Sequence, residues 1–190
     1  MNSEVVHGVP TRPVILREGD IVGLDIGMRW PAERGLYTDT AVTVPVGAVS
    51  AQAQRLMEVT RAALDAAIAV AQYRHRVSEI STTVQRIVED AGYSIVRDLV
   101  GHGVGRAPHE PPQVPNFWER DAEDTVLTNG LVIAIEPMVN AGGWRVRTMP
   151  DRWTVVSADG SLSAHFEHTI LVTKERTEVL TAASRNPLAP

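Results

Sequence analysis

Residues 21–44, IVGLDIGMRWPAERGLYTDTAVTV, decide the fold class. Two runs rich in β-branched residues, 21–29 and 36–44, flank WPAERG, whose Pro31 and Gly35 are turn formers, so the stretch is expected to close as a β-hairpin. With the turn placed about Ala32, positions whose numbers sum to 64 oppose one another, which sets Asp25 across from Asp39 on one face. Directly opposed Cβ atoms are about 4.5–5.5 Å apart. Two carboxylates that close repel unless a proton or a cation separates them.

Outward from the hairpin the pattern changes. From Val49 to about Tyr73, and again from about Ser78 to Ala91 before Gly92, apolar residues recur at three- and four-residue spacing, predicting two amphipathic helices. The following SIVRDLVGHGVGRAPHEPPQVPN holds so many Gly and Pro residues that only short strands and structured loops fit it. Strand character returns at 131–136, 153–157 and 164–173, with Gly142–Gly143 and Asp159–Gly160 as turns. This order predicts an α+β layer fold with an antiparallel or mixed sheet and helices on one face.

Composition narrows the function classes. The chain has 190 residues, 44% hydrophobic and 22% charged, enough for one core-forming domain, here expected over 1–180 with 181–190 as a loose tail. The net charge of −5 and scattered basic residues leave no stripe to follow a phosphate backbone, which argues against nucleic-acid binding. No apolar run approaches the roughly 20 residues of a membrane span, and MNSEVVHGVP lacks signal-peptide character, so a cytoplasmic location is expected. With no cysteine, a metal would rest on carboxylate, imidazole or backbone oxygen.

Candidate ligands accumulate along the chain. Glu136 ends the apolar run LVIAIE, and in AHFEHTILVT strand alternation puts Glu167 with His165, Thr169 and Leu171, opposite Phe166, His168, Ile170 and Val172. An isolated glutamate in a strand is ordinarily an edge residue, but four inward carboxylates are untenable without metal. His102 lies in GHGVG, where flanking glycines allow close approach, and His109 follows in PHEPPQV; one suits a ligand and the other an acid/base or substrate contact. His165 and His168 flank Glu167 in a strand-like setting without the helical spacing of a zincin motif, so His168 is read as packing, His165 as a possible pocket lining, and His75 as solvated.

VVHGVP (5–10), GHGVG (101–105), PHEPPQV (108–114), AIEPMVNAGG (134–143) and RTMPDRWTVVSADGSLSAHFEHTI (147–170) together resemble the bacterial-type methionine aminopeptidases, in the same order. The resemblance implies the pita-bread fold, a curved antiparallel sheet with helices on its outer face, and a dinuclear metal site. By this resemblance Asp25 chelates one metal, Asp39 and Glu167 bridge both, and His102 with Glu136 complete the second; manganese, iron(II), cobalt and zinc all suit such donors. It further implies that Glu136 moves protons, that His109 hydrogen-bonds the scissile peptide, and that His7 and Trp153 contact substrate. The implied reaction removes methionine from peptides and nascent proteins, in a ribosome-proximal setting, through a metal-activated water.

Three departures carry expectations of their own. Family members have helices before the element resembling NSEVVHGVP, so this chain is expected to lack those N-terminal helices, to bare one face of the first sheet half, and to be open to self-association there. The spacing between Asp25 and Asp39 is longer than usual in the family, and Pro108 stands where relatives carry a bulky apolar residue. Proline-specific pita-bread peptidases and non-catalytic pita-bread modules that bind proteins are the competing readings. The IEPMVNAGG and RTMPDRWTVVSADGSLSA segments favour methionine aminopeptidase over the first of these, and an intact ligand set disfavours the second.

Overall fold

A computed structural model describes residues 1–10, 13–120 and 123–182. In chain order the elements are β1 (Glu4–Val6), β2 (Ile21–Trp30), β3 (Leu36–Pro45), α1 (Ala51–Val70), α2 (Val77–Asp90), β4 (Ser94–Ile95), β5 (Gly101–Gly103) and β6 (Glu110–Val114). There follow β7 (Val132–Ile135), β8 (Met138–Asn140), β9 (Val146–Thr148), β10 (Val155–Ser157), β11 (Ser163–His165), β12 (Glu167–Val172) and β13 (Thr177–Val179). The expected tail lies, from residue 183 onward, outside the described residues.

The main sheet runs β2-β3-β12-β7-β5-β6, with β13 also on β12, and two three-stranded sheets, β1-β10-β9 and β11-β8-β4, flank it. Every strand pairing among the described residues is antiparallel, which resolves the expected choice between antiparallel and mixed. The helices form where the periodicity placed them, α1 trimmed at both ends and α2 moved one residue toward the N-terminus. Ser50 caps α1 by accepting from the Ala53 amide at 3.1 Å, and Glu79 accepts from the Arg76 amide at the start of α2. Ala53, Leu56, Ala63, Leu64 and Ala67 of α1 are buried with Ile80, Val84 and Val88 of α2 against Ile133, Ile135, Ile170 and Val172 of the sheet. The helices thus hold one face of the sheet and leave the other for chemistry.

The hairpin forms, but its register differs from the expected one. Asp25 pairs with Ala41 and Gly27 with Asp39, so opposed numbers sum to 66 and the turn centres on Glu33 instead of Ala32. The reason is local: β2 continues through Trp30, and five residues make the turn, closed by the Gly35 amide donating to the Pro31 carbonyl at 2.6 Å. A side chain at Gly35 would run into the Trp30 carbonyl, so the position takes only glycine. Because the shift is two residues, Asp25 and Asp39 keep a common face but become diagonal neighbours.

Two further strands differ from expectation. The run 164–173 breaks at Phe166: β11 pairs with β8, whereas β12 pairs with β3, β7 and β13. Thr43 bridges to β11 on both sides, its hydroxyl donating to the His165 carbonyl at 2.8 Å and accepting from the His165 amide at 2.9 Å. The strand expected at 153–157 starts only at Val155, because the Asp151 carboxylate accepts from the Trp153 and Thr154 amides and the Thr154 hydroxyl, folding those residues into a turn. Trp153 is consequently 62% exposed instead of sitting in a strand.

Candidate metal centre

Two rows of inner-facing positions cross the main sheet. One carries Asp25 of β2, Ala41 of β3 and Glu167 of β12 in register, and Ala41 between the two carboxylates is small and buried. The other runs from Gly27 through Asp39, Thr169 and Ala134 to His102 of β5. Asp39 lies over Gly27, where an added Cβ would touch both carboxylate oxygens at 3.6 Å. Glu136, directly after β7, meets the end of both rows: its Oε1 is 3.5 Å from His102 Nε2, and its Oε2 is 3.7 Å from His165 Nε2.

Donor atoms of Asp25, Asp39 and Glu167 all lie within 4.8 Å of one another, and so do those of His102, Glu136 and Glu167. Asp39, His102 and His109 form a third set at the same separation, with the His102 and His109 rings edge-on at 4.2 Å between centroids. All five residues expected as ligands, together with His109, therefore converge on one wall of the sheet.

Backbone and side-chain contacts hold this wall. The Thr169 hydroxyl donates to the Asp39 carbonyl at 2.7 Å and accepts from the Asp39 amide at 2.9 Å, the Thr40 hydroxyl donates to the Glu167 carbonyl, and Asn116 donates to the Glu136 carbonyl at 3.0 Å. Sequence reasoning did not single out Thr40, Thr169 or Asn116. Only the register of β3 against β12 reveals the threonines, and Asn116 shows only its neighbours Pro115 and Phe117 in sequence. His102 Nδ1 lies 2.9 Å from the Gly103 carbonyl, the geometry of an N–H donating there, which leaves the Nε2 lone pair facing the cluster.

The electrostatics pose a problem that cations solve. Among the described residues no lysine or arginine forms an ion pair with Asp25, Asp39, Glu136 or Glu167. Burial, then Asp39, raises the Asp25 carboxyl; burial, then Asp39 and Asp25, raises Glu136 well above the usual carboxylate range. Glu167 is pushed up to about 10 by burial and then by Glu136, Asp39 and Asp25. His102 is shifted downward, chiefly by burial, and so offers a neutral ring. Four crowded carboxylates with one neutral imidazole, and no paired lysine or arginine among the described residues, fit a hard to intermediate divalent cation.

The glycines around His102 admit the close approach expected of them. A Cβ on Gly103 would sit 2.2 Å from the Pro111 carbonyl oxygen, and one on Gly101 would sit 2.4 Å from that of Ala134. The atoms that approach them are neighbouring backbone. Gly103→Ala is therefore expected to push β5 from β6 and to cost about 3 kcal/mol or more, read as a lowered midpoint in chemical denaturation of the metal-stripped chain.

The remaining histidines separate cleanly. His168 is half-buried on the helix side, its Nδ1 2.9 Å from the Thr181 hydroxyl, which fits the packing reading. His75 pairs with Glu79 at 2.8 Å on the surface of α2. His165 is buried, pushed down to about 3 mainly by burial, and lines a cavity of about 550 Å³ with His7, Asp25 and Trp153. His7, in a left-handed conformation at φ 59°, faces Trp153 with ring centroids 5.4 Å apart. Two of the three residues expected to contact substrate, His7 and Trp153, thus stand together beside Asp25.

A helix-backed antiparallel sheet whose open face gathers carboxylates and histidines beside a substrate-sized cavity defines a metallohydrolase of the pita-bread architecture. The model for metallopeptidase family M24 matches residues 1–174. The chain belongs to that family, on its methionine aminopeptidase branch. It is 44% identical over 181 residues to methionine aminopeptidase of Clostridium perfringens, covering 95% of this chain and 71% of the relative. It is 40% identical to that of Escherichia coli, covering 67% of the relative. The crystal structure of methionine aminopeptidase from Thermotoga maritima superposes with a TM-score of 0.90 at 45% identity, over 96% of this chain and 72% of that one. Prolidase from Pyrococcus furiosus shares the fold at a TM-score of 0.67 and 24% identity.

Proposed function

We propose that the chain removes N-terminal methionine from peptides and nascent proteins with the help of two divalent metal ions. The observation that carries this reading is the convergence of Asp25, Asp39, His102, Glu136 and Glu167 on one face, with no lysine or arginine among the described residues in an ion pair with them. Asp25, Asp39 and Glu167 would hold one ion, and His102, Glu136 and Glu167 with Asp39 the other, with manganese, iron(II), cobalt and zinc all compatible with the donors. When bound, such ions supply Lewis acidity and a water of lowered pKa.

The chain's own residues supply the rest. Glu136, whose affinity for protons burial raises, takes the proton of the attacking water and returns it to the departing amine. His109, exposed and edge-on to His102, reaches the scissile carbonyl and donates to the oxygen on which charge develops. His7 and Trp153 wall the cavity in which the peptide lies. The catalytic unit extends over residues 1–180. Peptide N-termini are the substrates, met in a cytoplasmic, ribosome-proximal setting; among the described residues no helix is long and apolar enough to cross a membrane.

Calorimetric titration of the metal-stripped chain with manganese or cobalt, followed by an assay of methionine release from a Met-Ala peptide, tests the reading. Binding with turnover supports it, and a folded sample that takes up neither metal overturns it. Release from an Xaa-Pro dipeptide in preference to Met-Ala would move the chain to the proline-specific branch. Since Trp153 is exposed and its ring rests on His7, Trp153→Ala is expected to raise KM about tenfold while leaving kcat within about threefold and the melting temperature unchanged.

A further inference from the structure

His165 is 4% exposed, and among the described residues its Nε2 is buried with no hydrogen-bond partner. A ring nitrogen taken out of water and left unpaired is costly, so such an atom calls for a partner. Nε2 stands 3.7 Å from Glu136 Oε2, just beyond hydrogen-bond reach. The ring joins none of the three donor groups that could hold a cation, so it is not placed as a ligand. Its backbone is fixed: the Thr43 hydroxyl clasps both the amide and the carbonyl of His165, and β11 pairs His165 with Met138, two residues past Glu136. Glu136 is held in turn at its carbonyl by Asn116. Two anchored stretches of backbone thus bring His165 and Glu136 together across a gap that a small side-chain rotation closes.

We propose that His165 is a positioning residue for Glu136: its Nε2–H donates to Oε2 and holds the carboxylate in one orientation when the metal ions are bound, an inference that rests on the two-metal reading above. The two oxygens of Glu136 face different ways. Oε1 stands 3.5 Å from His102 Nε2, on the side of the ligand cluster, and Oε2 turns to His165. A neutral imidazole carries its one proton on either nitrogen. A lone pair on Nε2 would face the lone pairs of Oε2 and be repelled, whereas an N–H there is attracted, so the carboxylate selects the Nε2–H tautomer. Without that donor the carboxylate turns about its last side-chain bond, and the group that takes a proton from water and returns it to the amine loses its aim. His165 also lines the cavity with His7 and Trp153, which gives it a competing role as wall alone. A wall residue acts on substrate affinity, whereas a positioning residue acts on turnover.

Variants of the full chain and one spectrum separate these roles. Glutamine places its amide nitrogen close to where imidazole has Nε2, asparagine close to where it has Nδ1, and leucine has no donor. With zinc or manganese saturating, His165→Leu and His165→Asn are expected to lower kcat on Met-Ala about ten- to a hundredfold with KM within about threefold, and His165→Gln to stay within about fivefold of wild type in kcat. All three should bind metal with wild-type stoichiometry by calorimetry, because none removes a ligand. In the zinc-loaded wild-type chain, whose fold no substitution disturbs, the proton–nitrogen correlation spectrum of isotope-labelled histidine should show His165 as the Nε2–H tautomer, its signal assigned by its loss in any of the variants. A raised KM with unchanged kcat, equal losses in His165→Gln and His165→Leu, or a His165 ring protonated on Nδ1 each overturns the proposal. Failure of the wild-type chain to take up zinc would instead sink the two-metal reading itself, and this inference with it.

Discussion

Glu167→Gln is expected to abolish metal uptake and to lower methionine release at least about a thousandfold, while making the metal-stripped chain more resistant to heat above neutral pH. The two halves of this result have one cause. Glu167 is 2% exposed and faces three other carboxylates, and without a cation its carboxyl is held up at about 10. Its folded pKa therefore lies above the unfolded value of about 4.3, and the folded state binds the extra proton. That contribution to stability is complete below the unfolded pKa and is lost as pH rises through the window up to about 10. Glutamine is neutral throughout and near in shape, so the loss disappears with it. The stripped wild-type chain should lose about 5 °C or more in melting temperature between roughly pH 6 and pH 9, and the variant clearly less, with Glu136 and Asp25 supplying what remains. Metal demands the deprotonated carboxylate, so wild-type affinity should rise across the same window. A variant that still takes up metal, or a stripped wild-type chain whose melting temperature rises with pH, would refute this account.

How far the sequence carries this far is a question of parity. Strand alternation needs no exact register to assign a face, so the common side it gives Asp25, Asp39 and Glu167 survives the two-residue slide of the hairpin. A slip of one would have sent Asp25 to the helix side. What alternation cannot show is the break at Phe166, which moves His165 out of the strand that carries Glu167 and into β11, from where its ring still reaches Glu136. Nor can it show that Asp151 holds Trp153 in a turn, since that depends on a side chain satisfying backbone amides. Strand patterning alone gathers Asp25, Asp39, Glu136 and Glu167 as inward carboxylates and leaves His102 and His109 open as ligand or donor; the resemblance adds the role of each. GHGVG shows in sequence that its glycines are positions of close approach, but which atoms approach is a matter of strand pairing between β5, β6 and β7 that no local pattern contains.

His109→Ala and His102→Ala are expected to fail in opposite ways, and the contrast decides what each imidazole does. Geometry alone leaves a choice, because Asp39, His102 and His109 present donor atoms within one 4.8 Å group, so either ring has the reach of a ligand. Three features separate them. His102 is 8% exposed, sits in a strand of the main sheet, and has Nδ1 engaged at the Gly103 carbonyl so that Nε2 points to Glu136. His109 is exposed, lies in the connection between β5 and β6, and contacts the site chiefly through the edge of the His102 ring. A buried, oriented ring suits a ligand; an exposed one in a loop suits a donor that closes on substrate. His102→Ala should therefore lose about one equivalent of metal, with turnover falling as a consequence. His109→Ala should bind metal with wild-type stoichiometry, within about threefold in affinity, yet lose roughly a hundred- to a thousandfold in kcat, the loss typical of one oxyanion donor. Calorimetric stoichiometry and kcat measured on the same preparations read both outcomes. If His109→Ala drops an equivalent of metal and His102→Ala does not, the roles of the two histidines are exchanged, and the metal lies on the loop side of Asp39.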